Sequence, residues 1–180
     1  MLFEHIGEER KLTVLNIGPA LSDTVEFFSR FRCKLYFIDL FDDLPALNAC
    51  EDDTPPPRQL LGESLQFPGD TRFDLCLFWD LFNFLDSEAI TALQEALSPH
   101  LHSGSLGHGF AVHNRRTQQS GKLYGIRDLD QLSTRPRPAA LPGYSPYNQG
   151  QLEKMLVCFR VTRSVLLPDS RLELLLRAKF

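Results

Sequence analysis

A chain of 180 residues, 43% of them apolar and 23% charged, has an ordinary globular composition and is long enough to bury one sizeable core. Its 19 Lys and Arg against 23 Asp and Glu leave a net charge of −4 with no basic tract, so the electrostatic footprint of a dedicated nucleic-acid binder is missing. No run approaches about 20 consecutive apolar residues, so no membrane span is expected. The four cysteines, Cys33, Cys50, Cys76 and Cys158, form no C-x-x-C pair. Cys76 and Cys158 fall in apolar patterns and read as small core residues. With no secretory pattern at the start, the expected location is the cytoplasm.

Taken in chain order, residues 12–17 (Leu-Thr-Val-Leu-Asn-Ile) predict a buried strand, followed by a turn of small residues through Gly18, Pro19 and Ala20. Asp23 then caps a helix, with Glu26 three residues on as its capping-box partner and Val25, Phe28 and Phe31 as its buried face. A second apolar run, residues 35–38, ends in Asp39. A strand, a small-residue turn, a helix and an acid at the tip of the next strand form the usual frame for the adenosine half of a ligand. Asp42 and Asp43 start a short helix through Leu47, residues 51–57 are a polar loop broken by prolines, and a weaker strand is expected at 59–61.

Residues 73–79 predict the next strand, and Asp86 or Ser87 caps a helix whose Ile90, Leu93 and Leu97 line one face. Another strand within 104–113 centres on Phe110-Ala-Val112. Runs this continuously apolar suit strands buried on both faces, as in a parallel sheet. Residues 114–147 carry Pro136, Pro138, Pro142 and Pro146 and predict no core element, only a long loop: a lid, a binding loop or a disordered segment. Asn148 caps a helix with Leu152, Met155, Leu156 and Phe159 on one face. Two β-runs at 161–167 and 172–178, joined by Pro168-Asp-Ser170, predict an antiparallel hairpin. With no internal repeat, the whole chain, 1–180, reads as one α/β domain with a doubly wound sheet.

The order of these elements, and the closing helix followed by FRVTRSVLLPDSRLELLLRAKF, resembles the class I S-adenosylmethionine-dependent methyltransferases over nearly the whole chain, from about Leu12 to Phe180. The resemblance implies a Rossmann-like, mostly parallel seven-stranded sheet ending in an antiparallel hairpin, with S-adenosylmethionine as cofactor. The family's acid-x-Gly-x-Gly-x-Gly turn matches Asn16, Gly18, Ala20 and Ser22, so one glycine is kept and an amide stands at the acid's position. Asp39 matches the acid that accepts hydrogen bonds from both ribose hydroxyls; the plain alternative is a helix cap or a solvated turn acid. Leu40 beside it is placed to pack on the adenine. Leu61-Gly-Glu-Ser-Leu-Gln-Phe-Pro68 resembles the family's third motif, which puts Glu63 on the adenine amino group and Ser64 nearby, against an equally simple reading as surface residues.

Beyond the fourth strand of that family, side chains face the methyl group and the substrate, which brings forward Trp79, Asp80 and Asn83. Asp80 is then a general base or a hydrogen-bonding anchor for the substrate; Trp79 has a core alternative and Asn83 a cap alternative. His113, with Asn114 and Arg115 after it, follows the fifth β-run at the sheet edge that borders a ligand crevice, as a proton acceptor or a solvated loop histidine. The Asp/Asn-Pro-Pro-aromatic signature of amino-group methylases and the Pro-Cys pair of cytosine C5 methylases are absent. His100, His102 and His108 have no acidic or Cys ligand at useful spacing, so no metal is expected. Asp23 and Glu26 crowd the first helix start with negative charge, which repels a pyrophosphate and disfavours a dinucleotide; a sulfonium carries no phosphate and tolerates them. The expected function is methyl transfer to an unidentified small-molecule or protein substrate; the alternative is a methyltransferase fold that no longer reacts and serves as a binding or scaffold partner.

Overall fold

The structure is a computed structural model that describes residues 11–48, 54–114, 121–138 and 140–180. Cys50, Arg115 and the acidic part of the 51–57 loop lie outside them. β1 (Leu12–Ile17), β2 (Cys33–Ile38), β3 (Leu75–Trp79) and β4 (Leu106–Val112) form the parallel part of a six-stranded sheet. β7 (Phe159–Leu166) and β8 (Arg171–Ala178) close it as an antiparallel hairpin, in the order β2-β1-β3-β4-β8-β7. The chain leaves β1 toward β2 on one side and returns to β3 on the other. The carboxyl ends of β1 and β3 are therefore the switch point at which an open α/β sheet splays a crevice.

Alternation along β1 divides the core. Leu12 and Val14 face Phe27 and Phe28 of α1 (Ser22–Phe28), while Leu15 and Ile17 face the opposite layer with Leu61, Leu93 and Phe159. The opposite layer holds α2 (Leu44–Leu47), α3 (Pro57–Ser64), α4 (Ser87–Leu97) and, after the loop segment, α5 (Gln149–Met155). Asp86 caps α4 by accepting from the Ala89 amide at 2.8 Å, and Ile90, Leu93 and Leu97 are fully buried. Asn148 and Gln151 make a reciprocal capping box on α5. No described helix is long and apolar enough to cross a membrane.

Several expectations need correction, among them Val25, expected on the buried face of α1 but exposed, that face being held by Thr24, Phe27 and Phe28. Among the described residues the main sheet has six strands, not seven, because the segment expected as a strand at 59–61 lies in α3. Pro57 takes the first helical turn, where its missing N–H costs nothing, and Pro57, Leu61 and Leu65 are buried at helical spacing. Asp23 does not cap α1; the cap position is Leu21, without a side-chain bond, and Asp23 instead pairs with Arg127 at 3.6 Å and Arg135 at 3.4 Å. Phe159 lies beyond α5, in β7.

The proline-bearing stretch 114–147 is not all loop: β5 (Lys122–Asp128) and β6 (Gln131–Pro136) form a separate antiparallel hairpin that lies on α1. Its Tyr124 and Ile126 join the core, and the Ile126 amide donates to Thr24 Oγ1 at 3.2 Å. Gly125 between them allows the close approach, since a Cβ there would stand 2.6 Å from Ser133 Oγ and 3.4 Å from Asp23. Because Ile126 is fully buried, Ile126→Ala is expected to lower the unfolding free energy by about 2–5 kcal/mol in urea titration. A change within about 0.5 kcal/mol, as for a surface residue, would show that the hairpin does not pack as described.

Candidate functional site

Asn16, next to last in β1 and on the face shared with Val14, is buried at the switch point. Its Oδ1 accepts a hydrogen bond from Trp79 Nε1 at 3.0 Å, and its Nδ2 donates to the Gly18 carbonyl at 3.2 Å. The amide thus ties the end of β1 to the end of β3, which a carboxylate could do only on the acceptor side. Gly18 follows at φ +141°, and its N–H donates to the Ile38 carbonyl at 2.7 Å. Gly18 is buried, yet among the described residues a Cβ there would meet only Asn16 Nδ2, at 3.7 Å, so no described side chain crowds the turn. Ala20 is exposed, and Leu21 packs toward Gly125 of the hairpin.

Trp79 ends β3 at φ +53°, a left-handed conformation that a bulky side chain adopts at a cost on the order of 1–3 kcal/mol. Three contacts hold it: the bond to Asn16, a stack on Tyr124 with ring centroids 5.4 Å apart and 9° between planes, and an edge contact with His108 at 5.3 Å. The turn directs Asp80 inward, where it is buried and its Oδ2 accepts from the Tyr124 hydroxyl at 3.2 Å. Asp80 Oδ1 is buried and makes no hydrogen bond among the described residues. Burial pushes the Asp80 carboxyl up to about 6, against the Tyr124 hydrogen bond and the charges of Arg137 and Arg171, which pull it down. Burial and the Asp80 charge also push the Tyr124 hydroxyl well above its usual range, so it stays a donor.

Antiparallel pairing puts the first residue of β8, Arg171, opposite Val112 and hence at the carboxyl edge of β4. Arg171 Nη1 donates to the Tyr124 oxygen at 2.7 Å, and its guanidinium grips Asp169 through Nε at 2.8 Å and Nη2 at 2.7 Å. It also covers the Phe110 ring at 4.5 Å. A chain of polar contacts therefore runs from Asp169 through Arg171 and Tyr124 to Asp80.

Asp39 sits half-buried at the tip of β2, where its Oδ1 accepts from the Phe41 amide at 3.2 Å and lies 3.6 Å from Arg137 Nη2. Leu40 is fully buried in the core layer. Phe41 beside it carries the Arg137 guanidinium 4.1 Å above its ring. Asn83 is buried in the 3-10 turn after β3; its side chain donates to the Phe110 carbonyl at 3.0 Å and its carbonyl accepts from the Ser145 amide at 2.8 Å. His113 is exposed just past β4, its amide on the Ser170 carbonyl at 3.1 Å. Glu63 and Ser64 are exposed on α3, with Glu63 bonded to Gln59 at 3.1 Å.

One sheet edge thus gathers Asn16, Gly18, Asp39, Trp79, Asp80 and Asn83. Sequence reasoning missed Tyr124, Arg137, Arg171 and Phe41. Tyr124 and Arg137 belong to the stretch read as loop, and Arg171 looked like an ordinary strand charge; only the sheet order exposes its position. Among the described residues no three His, Cys, Asp or Glu converge to hold a metal.

No protein-family model and no curated protein matches the sequence. Solved structures do. The 1,6-didemethyltoxoflavin-N1-methyltransferase of Burkholderia thailandensis, crystallised with S-adenosylhomocysteine, superposes at TM-score 0.55 and 14% identity over 99% of this chain and 75% of its own. An S-adenosylmethionine-dependent methyltransferase from Clostridium acetobutylicum ATCC 824 gives 0.52 and 14% over 93% and 84%. The PH0226 protein of Pyrococcus horikoshii OT3 gives 0.59 and 9% over 99% and 86%. The order of strands, the closing hairpin and these superpositions together establish that the chain has the fold of the class I S-adenosylmethionine-dependent methyltransferases.

Proposed function

We propose that this chain binds an S-adenosyl ligand across the carboxyl ends of β1, β2 and β3, and transfers a methyl group to an acceptor bearing a removable proton. The observation that carries the reading is Asp80, a carboxylate buried at the switch point with one oxygen unbonded among the described residues and its affinity for a proton raised to the physiological range. The turn at Gly18, uncrowded by described side chains, suits the methionine portion, and Asp39 supplies the acceptor that ribose hydroxyls need. S-adenosylmethionine, when bound, supplies a methyl already activated on a sulfonium. What remains for the protein is alignment and proton removal. Asp80 takes the acceptor's proton; Tyr124, fixed by Arg171, holds the other carboxylate oxygen in place. Trp79 shapes the wall beside it. Asn83 fastens the turn to β4 and to the 141–147 segment. Glu63 and Ser64, exposed on α3, have no part in this proposal.

A second reading, a fold that no longer takes the adenosyl ligand and serves as a binding or scaffold partner, is favoured by the chain's own Arg137, which stands on Asp39 and Phe41. Thermal shift separates the two. At a hundred times its dissociation constant, S-adenosylmethionine or S-adenosylhomocysteine is expected to stabilise the protein by about 2.7 kcal/mol, and Asp39→Ala to reduce that shift. No shift with either adenosyl ligand would remove the enzyme reading and leave the scaffold.

Asp80 makes its own prediction. Its folded proton affinity is raised, so its ionised form opposes folding; the penalty is absent below the unfolded value of 3.8, grows toward about 6 and is then constant. Asp80→Asn keeps an acceptor for Tyr124 and removes the charge. In unfolding titrations its stability relative to the parent protein is expected to rise between about pH 4 and pH 6 by on the order of 3 kcal/mol, then level off. A difference that does not change with pH would mean that Asp80 is solvated.

A further inference from the structure

The Arg137 side chain is nine-tenths buried, although the residue follows directly on Pro136 and precedes Pro138 in a polar stretch. The two prolines restrict the backbone on either side of it, and its amide donates to the Gly121 carbonyl at 3.2 Å across the base of the hairpin. The guanidinium lies over the Phe41 ring at 4.1 Å with Nη2 at 3.6 Å from Asp39 Oδ1. A planar cation stacked on an aromatic face beside a carboxylate takes both places that an adenosine would need there: the ring face for the base and the carboxylate for the ribose.

We propose that Arg137 is an autoinhibitory latch, a side chain of the β5–β6 cover that occupies the adenosine position and must swing away before an S-adenosyl ligand enters. The inference rests on the adenosyl-binding reading above. The latch is loosely made. Its ion pair exceeds hydrogen-bond length, and its Nε–H is buried without a hydrogen bond among the described residues. An arginine that served only as structural fill would have its donors satisfied, as Arg171 does on Asp169 and Tyr124. The hairpin that carries it is anchored on α1 through Tyr124 and Ile126, so the side chain and the stretch after Pro136 can yield while the cover stays in place. Ligand affinity is divided by the fraction of molecules with the latch open.

The test is calorimetric titration of S-adenosylhomocysteine into the parent protein, Arg137→Ala and Arg137→Gln, with thermal unfolding to verify that each variant is folded. Arg137→Ala is expected to bind about tenfold more tightly or better, with Arg137→Gln between it and the parent. Hydrogen exchange without ligand is expected to show unchanged protection in β5, because the hairpin does not depend on the latch. Equal or weaker binding by both variants would overturn the latch while the adenosyl-binding reading stands. No binding by any of the three proteins would overturn both.

Discussion

Everything at the sheet edge depends on one hydrogen bond, from Trp79 Nε1 to Asn16 Oδ1. It spans the switch point, where β1 and β3 are paired side by side and their following segments part to opposite sides of the sheet. A left-handed tryptophan survives only where its surroundings determine it. Here the amide of Asn16 fixes the indole from one side and the Tyr124 ring fixes it from the other. The backbone that this produces turns Asp80 inward rather than toward water. The strain, the buried carboxylate and the stacked rings are one arrangement, with Asn16 as its first member.

The second constraint is the cover. In this chain the polar stretch between β4 and α5 folds back as a hairpin on α1 and supplies two groups to the edge: Tyr124, which bonds Asp80, and Arg137, which pairs with Asp39. The segment beyond it is sewn to the same edge through the Ser145 amide on Asn83 and the Tyr144 ring, 5.3 Å from Phe84. Of the two carboxylates at the strand tips, Asp39 is thus met by an arginine and Asp80 by a phenol that Arg171 holds. Arg171 is committed by its fork onto Asp169, whereas Arg137 is not. The same protein can therefore look closed at the adenosine end and prepared at Asp80.

The alternating frame of strands and helices was legible because continuous apolar runs and helical spacing carry tertiary information locally. Residues 12–17, the run 73–79 that holds β3 and the helix capped by Asp86 could be read on those grounds, and so could the closing hairpin around Pro168. The hairpin in 122–136 could not, because Tyr124 and Ile126 give only one alternation before charges resume, and its Pro136 reads as a breaker although it merely ends a strand. At the edge, Asp39 and Asp80 stood out by their positions after apolar runs. Asn16 was legible as a departure from a motif, but its role as a clamp on Trp79 needs the distance between two strands separated by 63 positions in sequence. Arg137 and Arg171 gave no signal at all; a lone arginine beside prolines or at a strand start is the commonest kind of surface residue, and only the fold buries these two.

The most direct measurement is a crystal structure of the protein grown or soaked with S-adenosylhomocysteine. The account predicts the ribose on Asp39, the thioether near the Gly18 turn with Asp80 beyond it, and Arg137 lifted from the Phe41 ring. A structure in saturating ligand that keeps Arg137 on Phe41 and Asp39, with the ligand elsewhere or absent, would contradict it.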